Sequence, residues 1–302
     1  DGVHLTQARA VDDNSDKNPT SWHVPVVARS LGTSQMWHGI VTRAAPQDVP
    51  LPKGEGALVN AGQTAYFRTA YDDASFKDVA AAFAKLSPED QLGLINDARD
   101  NGYVGLTPFG HFLTLASQVT PDTNAQVLNT LAGRMSGIDD LYRDLPGQTA
   151  FRAFAQKVLG PVFAKLGWDA KPGEDANVPL LRNELIDVLS QMNDAAVIAE
   201  ADKRFDAYRA NSDSLSGDMR EAVLRVVARH ADAVRWEQIH ALAKTTNDSA
   251  QKEAFYTYLG VAEDKAIAQK ALDLALTDEA PVTVRLRIVG ATAGLHPEMA
   301  FD

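Results

Sequence analysis

The sequence predicts a mostly α-helical protein: a small N-terminal β-sandwich followed by an α-helical solenoid of antiparallel helix pairs. Two observations carry this expectation. The hydrophobic period changes from two to three-or-four near residue 73, and from there helical segments follow one another across loops of only a few residues. The change falls at the end of the stretch VNAGQTAYFRTAYD, Val59–Asp72. The expected domains are therefore residues 1–72, a β-sandwich, and residues 73–302, a helical solenoid broken off at its C-terminal end.

In the first part, strands are expected at Val3–Arg9, Trp22–Ala28, Met36–Arg43, Ala57–Ala61 and Ala65–Tyr71. Turn formers separate them at Asp12–Asp16, Asn18–Thr20, Gly32–Ser34 and Pro50–Gly54. Pro25 lacks a backbone donor, so its strand belongs at an edge or a bulge. In the last strand Ala65, Phe67, Thr69 and Tyr71 share one face, while Tyr66, Arg68 and Ala70 share the other. A Gly62-Gln63 turn joins the last two strands, and Asp72-Asp73 opens the first helix.

That helix places Val79, Phe83 and Leu86 on one face. Ser87-Pro88-Glu89-Asp90 reads as a cap for a helix ending near Gly102. Thr107-Pro108 is expected to cap the next helix, and Pro121-Asp122-Thr123 to open one running to about Tyr142. A segment from Phe151 to Leu166 carries Gly160-Pro161, which predicts a kink or a break, and Gly167 stops it. After the loop 169–177, helices are expected at 178–192, 194–210, 217–231, 233–245, 248–259, 263–277 and 281–293.

A chain of 302 residues accommodates about two domains. Its net charge of −11 disfavours nucleic-acid backbones, whose recognition relies on clustered Lys and Arg. No apolar run approaches the ~20 residues needed to cross a bilayer. The opening DGVHLTQARA has neither a starting Met nor a basic, then apolar, leader. Together with a helix begun at Pro297 and not continued, it suggests a piece of a longer protein. With no cysteine there is no disulfide framework, and the compartment is left open between cytoplasmic and exported.

Few residues fall in patterns that carry chemistry. The histidines are His4, His23, His38, His111, His230, His240 and His296, and no two form HExxH. Glu237 and His240 make one ExxH, where a di-iron bundle needs two and two further Glu residues, so His240 reads as packing. Gly54-Glu55-Gly56 lacks a third glycine and precedes a strand, which makes it a turn. Asn247-Asp248-Ser249 fits a glycosylation triplet but reads better as a helix cap. Trp22, Trp37, Trp168 and Trp236 are scattered as core residues are, and Arg68 is expected to pair with an acid.

Several segments, in order, resemble the C-terminal half of zinc aminopeptidases of the aminopeptidase N and puromycin-sensitive type. His4-Leu5-Thr6-Gln7-Ala8-Arg9 is similar to the family's LTLSQxRF, and Trp22-His23-Val24-Pro25-Val26 to its WxIPV. Val59 to Tyr71 resembles VNxxxxGYYRVNYD, the most specific of the set, with Ala65 in place of Gly and Thr69-Ala70 in place of VN. Ser87–Gln91 with Asp97 resembles LxPxDRxxLLxD; Leu166-Gly167-Trp168 with Leu181-Arg182 resembles LGW…LR. Ala201, Arg204 and Phe205, then Asp218, Arg220 and Val223, are similar to AxxxF…DLRxxV, and Lys252–Leu259, Lys270–Leu272 and Ala275-Leu276 close the series.

The resemblance implies that the catalytic zinc, held by HExxH and a downstream Glu, and the GxMEN motif lie in a domain upstream. Neither motif occurs here. It follows that no catalytic residue and no metal ligand is expected in this chain, no cofactor is bound by it, and no substrate-binding residue is singled out. The implied role is non-catalytic: the sandwich braces the catalytic domain of the same polypeptide, and the helical bowl encloses the cavity for peptide substrates. A free-standing helical-repeat scaffold that binds a protein or peptide is the alternative.

Overall fold

The computed structural model describes residues 3–9, 22–42, 46–52, 54 and 56–301. The expected turns at 12–16 and 18–20, together with Arg43, Lys53 and Glu55, lie outside them. The described chain is mostly helical, with five strands in two small sheets. It divides into two compact units, 1–134 with 164–166 and 135–163 with 167–302.

In the first unit, β1 (Val3–Leu5) pairs antiparallel with β4 (Gln47–Val49). A second antiparallel sheet has the order β3-β2-β5, formed by Met36–Val41, Val24–Ser30 and Ala57–Val59. β4 was not foreseen: Gln-Asp-Val is too short to show a period. Pro25 pairs with Ile40 on β3, while β5 reaches only Ala28–Ser30, so Pro25 lies where β2 has one neighbour. Val49 and Leu51 share an apolar cluster with Ala28 and Ala57, and Val3, Leu5 and Trp37 pack against it.

The expected strand at Ala65–Tyr71 is not a strand. Its alternation survives, since Ala65, Phe67, Thr69 and Tyr71 are half-buried while Tyr66, Arg68 and Ala70 are exposed. What differs is where the backbone groups find partners. Asn60, at φ 60, receives a hydrogen bond from Ala65 N at 3.1 Å on Oδ1 and donates from Nδ2 to Ala65 O at 2.9 Å. Thr69 N donates to Asp97 Oδ2 (2.8 Å), and Asn101 Nδ2 donates to Thr69 O (2.9 Å). Side chains satisfy these groups in place of a neighbouring strand. The Gly62-Gln63 turn is a short 3₁₀ turn over Ala61–Gln63.

Helix α1 (Asp73–Ala82) begins where the acidic pair predicts, with the Asp72 carboxylate accepting from Ser75 N at 2.8 Å. This contact holds the Asp72 pKa below its ordinary value. Asp72→Ala should lower stability by about 1 kcal/mol. The loss should appear as a shift in urea midpoint and faster amide exchange in the first turn of α1. Val79, Phe83 and Leu86 are buried as expected. Helices α2 (Pro88–Tyr103), α3 (Gly110–Ala116) and α4 (Ala125–Leu141) follow. The cap of α2 is Ser87, whose hydroxyl accepts from Asp90 N. Thr107 does not cap α3; the residue at that position is Phe109, with no side-chain bond. Asn124 Oδ1, accepting from Gln126 N at 2.9 Å, caps α4.

Helix α5 (Gln148–Leu166) runs through Pro161 without interruption and ends at Gly167, φ 71. The expected break is absent because burial of Leu159, Val162 and Phe163 on both sides of Pro161 outweighs one lost backbone bond. The second unit continues with α6 (Asn177–Gln191), α7 (Ala195–Ala210), α8 (Gly217–Arg229) and α9 (Ala233–Thr245). It ends with α10 (Ser249–Tyr258), α11 (Lys265–Ala275), α12 (Val282–Leu295) and the short α13 (Pro297–Phe301). Helices α6, α8, α10 and α12 touch in succession; α7 packs on α6 and α8, α9 on α8 and α10, and α11 on α12.

Candidate functional site

The motif residues of the first unit meet around α2. Asp90, 2% exposed, accepts from Gly62 N at 2.7 Å through Oδ1 and from Arg29 Nη2 at 3.3 Å through Oδ2. Val59 N donates to the Tyr71 hydroxyl at 2.9 Å, and burial pushes that phenol's pKa up. Arg68 pairs with Asp100 at 3.5 Å, as expected of it. Asp97 is held at the Thr69 amide, and burial first, then the charge of Asp100, lifts its pKa to about 6. These contacts fasten the segment 59–71 to a helix. They hold no pair of groups placed for proton transfer to a substrate.

In the second unit, the motif residues likewise build a clamp. Arg182 donates from Nε to Gly167 O at 3.0 Å and pairs with Glu174. The Arg204 guanidinium lies 5.0 Å from the Trp168 ring centroid and grips Asp169 through two bonds of 2.8 and 3.1 Å. Phe163 meets Trp168 edge-on. Ala201, Phe205 and Val223 are fully buried.

A cavity of about 660 Å³ lies in the second unit, lined by helix ends. The last turn of α4 contributes Asp139 and Asp140, the first turns of α5 Gln148 and Arg152, and the ends of α6 and α8 Gln191 and Arg229. Arg143, Asp144, Glu263, Lys265 and the stretch 294–298 complete it. Asp139, 1% exposed, is held by Arg152 through bonds of 2.8 and 2.9 Å, and this carboxylate raises the Arg152 pKa. Gln191 Nε2 donates to Ser136 O and sits 3.3 and 3.2 Å from the Asp139 and Asp140 carboxylates. Arg143 reaches from the segment after α4 to the last carbonyls of α12, Gly294 and Leu295. Cationic donors at a helix C-terminus satisfy carbonyls that have no partner within the helix. Sequence reasoning named His296 and Pro297 but brought none of these residues together: Asp139 and Gln191 are 52 positions apart, and no spacing rule links them.

One arrangement beside the cavity imitates a catalytic triad. Ser190 Oγ lies 3.0 Å from His230 Nε2, and His230 Nδ1 lies 3.8 Å from Glu263. Its details oppose catalysis. Nε2 also lies 3.1 Å from the Ser190 carbonyl, an acceptor only, so the proton resides on Nε2 and cannot be taken there from the hydroxyl. The Glu263 distance exceeds a hydrogen bond, Ser190 is fully buried, and burial lowers the His230 pKa.

Several other residues singled out by sequence sit in packed or capping positions. His240 is 6% exposed, lies tilted against the Trp236 ring at 4.9 Å, and faces Glu237 at 3.5 Å and Glu279. His111 stacks on Phe76 at 3.6 Å and His296 bonds to Ala262 O at 2.9 Å, while exposed His4 pairs with Asp48. Asp248 caps α10. Trp236 is buried, Trp37 packs against both strand clusters, and Trp22 is 40% exposed. Gly54 and Gly56 have φ of 78 and 68, as turn glycines do. Among the described residues no three His, Cys, Asp or Glu side chains are grouped to hold a metal ion, and no helix is long and apolar enough to cross a membrane.

Residues 57–298, from β5 to the start of α13, match the ERAP1-like C-terminal domain. The chain belongs to that family. It is 28% identical over 244 residues to aminopeptidase M1-C of Oryza sativa subsp. japonica, covering 77% of this chain and 27% of the relative. It is 26% identical over 230 residues to aminopeptidase M1 of Arabidopsis thaliana, covering 73% and 26%. With aminopeptidase N of Lactococcus lactis subsp. cremoris the identity is 22% over 214 residues, covering 67% and 24%. The chain thus spans about a quarter of the length of these curated relatives. The family expected from the motifs is the family found. Motif residues such as Asp90, Arg182 and Phe205 are buried in bonds and apolar contacts of this chain.

Proposed function

We propose that this chain is the non-catalytic C-terminal region of a zinc-dependent aminopeptidase, bracing a catalytic domain and enclosing the cavity in which peptides lose their N-terminal residues. The match of residues 57–298 to the ERAP1-like C-terminal domain carries this reading. A polar cavity of about 660 Å³ in the second unit, large enough for several residues of peptide, supports it. Zinc and the hydrolytic residues then reside in a domain outside this chain, and that domain and peptide substrates are its partners.

In this reading residues 1–72 form a β-sandwich, which the apolar cluster shared by β1, β4, β2 and β5 supports. Residues 73–302 form a solenoid, for which the unbroken row α6-α8-α10-α12 is the best support. The compact units part later, near residue 134, because α1 and α2 pack against β5 and the turn that follows it.

The reading is tested by offering aminoacyl-coumarins to the chain alone with added zinc, and assaying metal after dialysis. Neither turnover nor bound metal is expected. Chelator-sensitive turnover by the chain alone would overturn it.

A further inference from the structure

One face of α2 carries Asn96, Arg99, Asp100 and Tyr103, spaced three and four residues apart and therefore stacked along the helix. Two more guanidiniums come to that face. Arg68, from the segment after β5, pairs with Asp100 Oδ2 at 3.5 Å. Arg134, from α4, donates through Nε to Asn96 Oδ1 at 3.2 Å. Arg99 lies alongside, with Nε 2.8 Å from Asp100 Oδ1 and its guanidinium 5.6 Å from the Tyr103 ring centroid.

The cluster is short of acceptors. Three guanidiniums bring roughly fifteen N–H donors, against roughly four lone-pair positions on the Asp100 carboxylate, the Asn96 amide oxygen and the charge of Asp97, which Arg68 feels. Neighbouring Asp97 uses one oxygen on the Thr69 amide. The excess of positive charge is felt within the cluster: burial first, and Arg99 second, hold the Arg134 pKa below its ordinary value. It occurs in a chain with a net charge of −11. Such a concentration needs a physical reason, because like charges gathered on one helix face repel. Arg68 is about half exposed and Tyr103 is 48% exposed, so the face is open to solvent.

We propose that Arg68, Arg99 and Arg134 form a binding site for a multivalent oxyanion, a phosphate or polycarboxylate group gripped by planar guanidinium forks. Forked donors match such groups geometrically, and an added anion would complete the charge balance that Asp100 begins. Tyr103 would flank the ligand with the edge of a ring already stacked on Phe109 at 5.5 Å.

The test uses the full chain, inorganic phosphate and citrate, with sodium chloride at matched ionic strength as the control. Isothermal titration and thermal melting should show saturable binding of at least one of the two anions that chloride does not reproduce. Arg68→Gln, on the exposed side, should weaken it at least tenfold, and Arg134→Gln should do so again. Asp100→Asn removes the competing carboxylate and should tighten binding severalfold. Equal stabilisation by chloride overturns the proposal, as does undiminished binding in both arginine variants. Weaker binding in a folded Asp100→Asn variant also overturns it, since a cluster built around that carboxylate for structure alone would behave that way.

Discussion

Replacing Arg152 with methionine is expected to destabilise the second unit by about 3–5 kcal/mol. The reason lies in what the substitution leaves behind. Asp139 is 1% exposed, and its two oxygens receive Arg152 Nε and Nη2 at 2.8 and 2.9 Å. Without the guanidinium, a carboxylate stays buried with the Gln148 and Gln191 amides as its partners, at 3.2 and 3.3 Å. Neutral amides do not offset the charge. Methionine keeps much of the apolar stem, so the loss reports the ion pair more than packing. The double variant Arg152→Met, Asp139→Asn should recover more than half of it, because an uncharged amide is far cheaper to bury. Urea unfolding followed by amide exchange in α4 and α5 provides the measurement. A loss below about 1 kcal/mol would show that water reaches Asp139 freely and that the pair resembles a surface ion pair.

The same pair shows where legibility in the sequence stops. Helix limits from α6 to α12 agree with the periodicity to within a few residues, because each boundary is set locally. Asp194, Asp232, Asp248 and Asp264 cap their helices with their own carboxylates, as short polar residues before an apolar run should. The segment 65–71 failed for the opposite reason. Its alternation of burial was local and correct, but its hydrogen-bond partners are side chains: Asn60 close by, and Asp97 and Asn101 about 30 positions away on α2. A pattern of period two cannot distinguish a neighbouring strand from Asp97 and Asn101. The cavity was illegible for the same cause on a larger scale. Arg143 meets Leu295 across 152 positions, and nothing in either neighbourhood announces the other. The family, by contrast, was legible because the residues in its motifs make the bonds that the fold needs: Asn60, Asp90, Asp97, Arg182 and Arg204 each fasten one segment to another.

Asp97 makes stability depend on pH in a direction unlike that of most carboxylates. Burial raises its pKa from 3.8 to about 6, and Asp100 adds to the rise, against the opposing pull of the Thr69 amide and Arg68. The folded state therefore holds a proton between roughly pH 4 and pH 6 that the unfolded chain has released. Its contribution to stability is complete below pH 3.8 and is lost as pH rises through about 6. The interval corresponds to about 3 kcal/mol at most. Asp97→Asn keeps an oxygen for Thr69 N and carries no charge. It should stabilise the protein at pH 7.5 by about 1–3 kcal/mol and flatten that part of the pH profile. Urea midpoints of the two proteins at pH 4.5, 6 and 7.5 decide the matter. If the variant is instead less stable at pH 7.5, Arg68 and the Thr69 amide favour the ionised carboxylate by more than burial disfavours it. The segment 59–71 would then be held to α2 by charge as well as by hydrogen bonds.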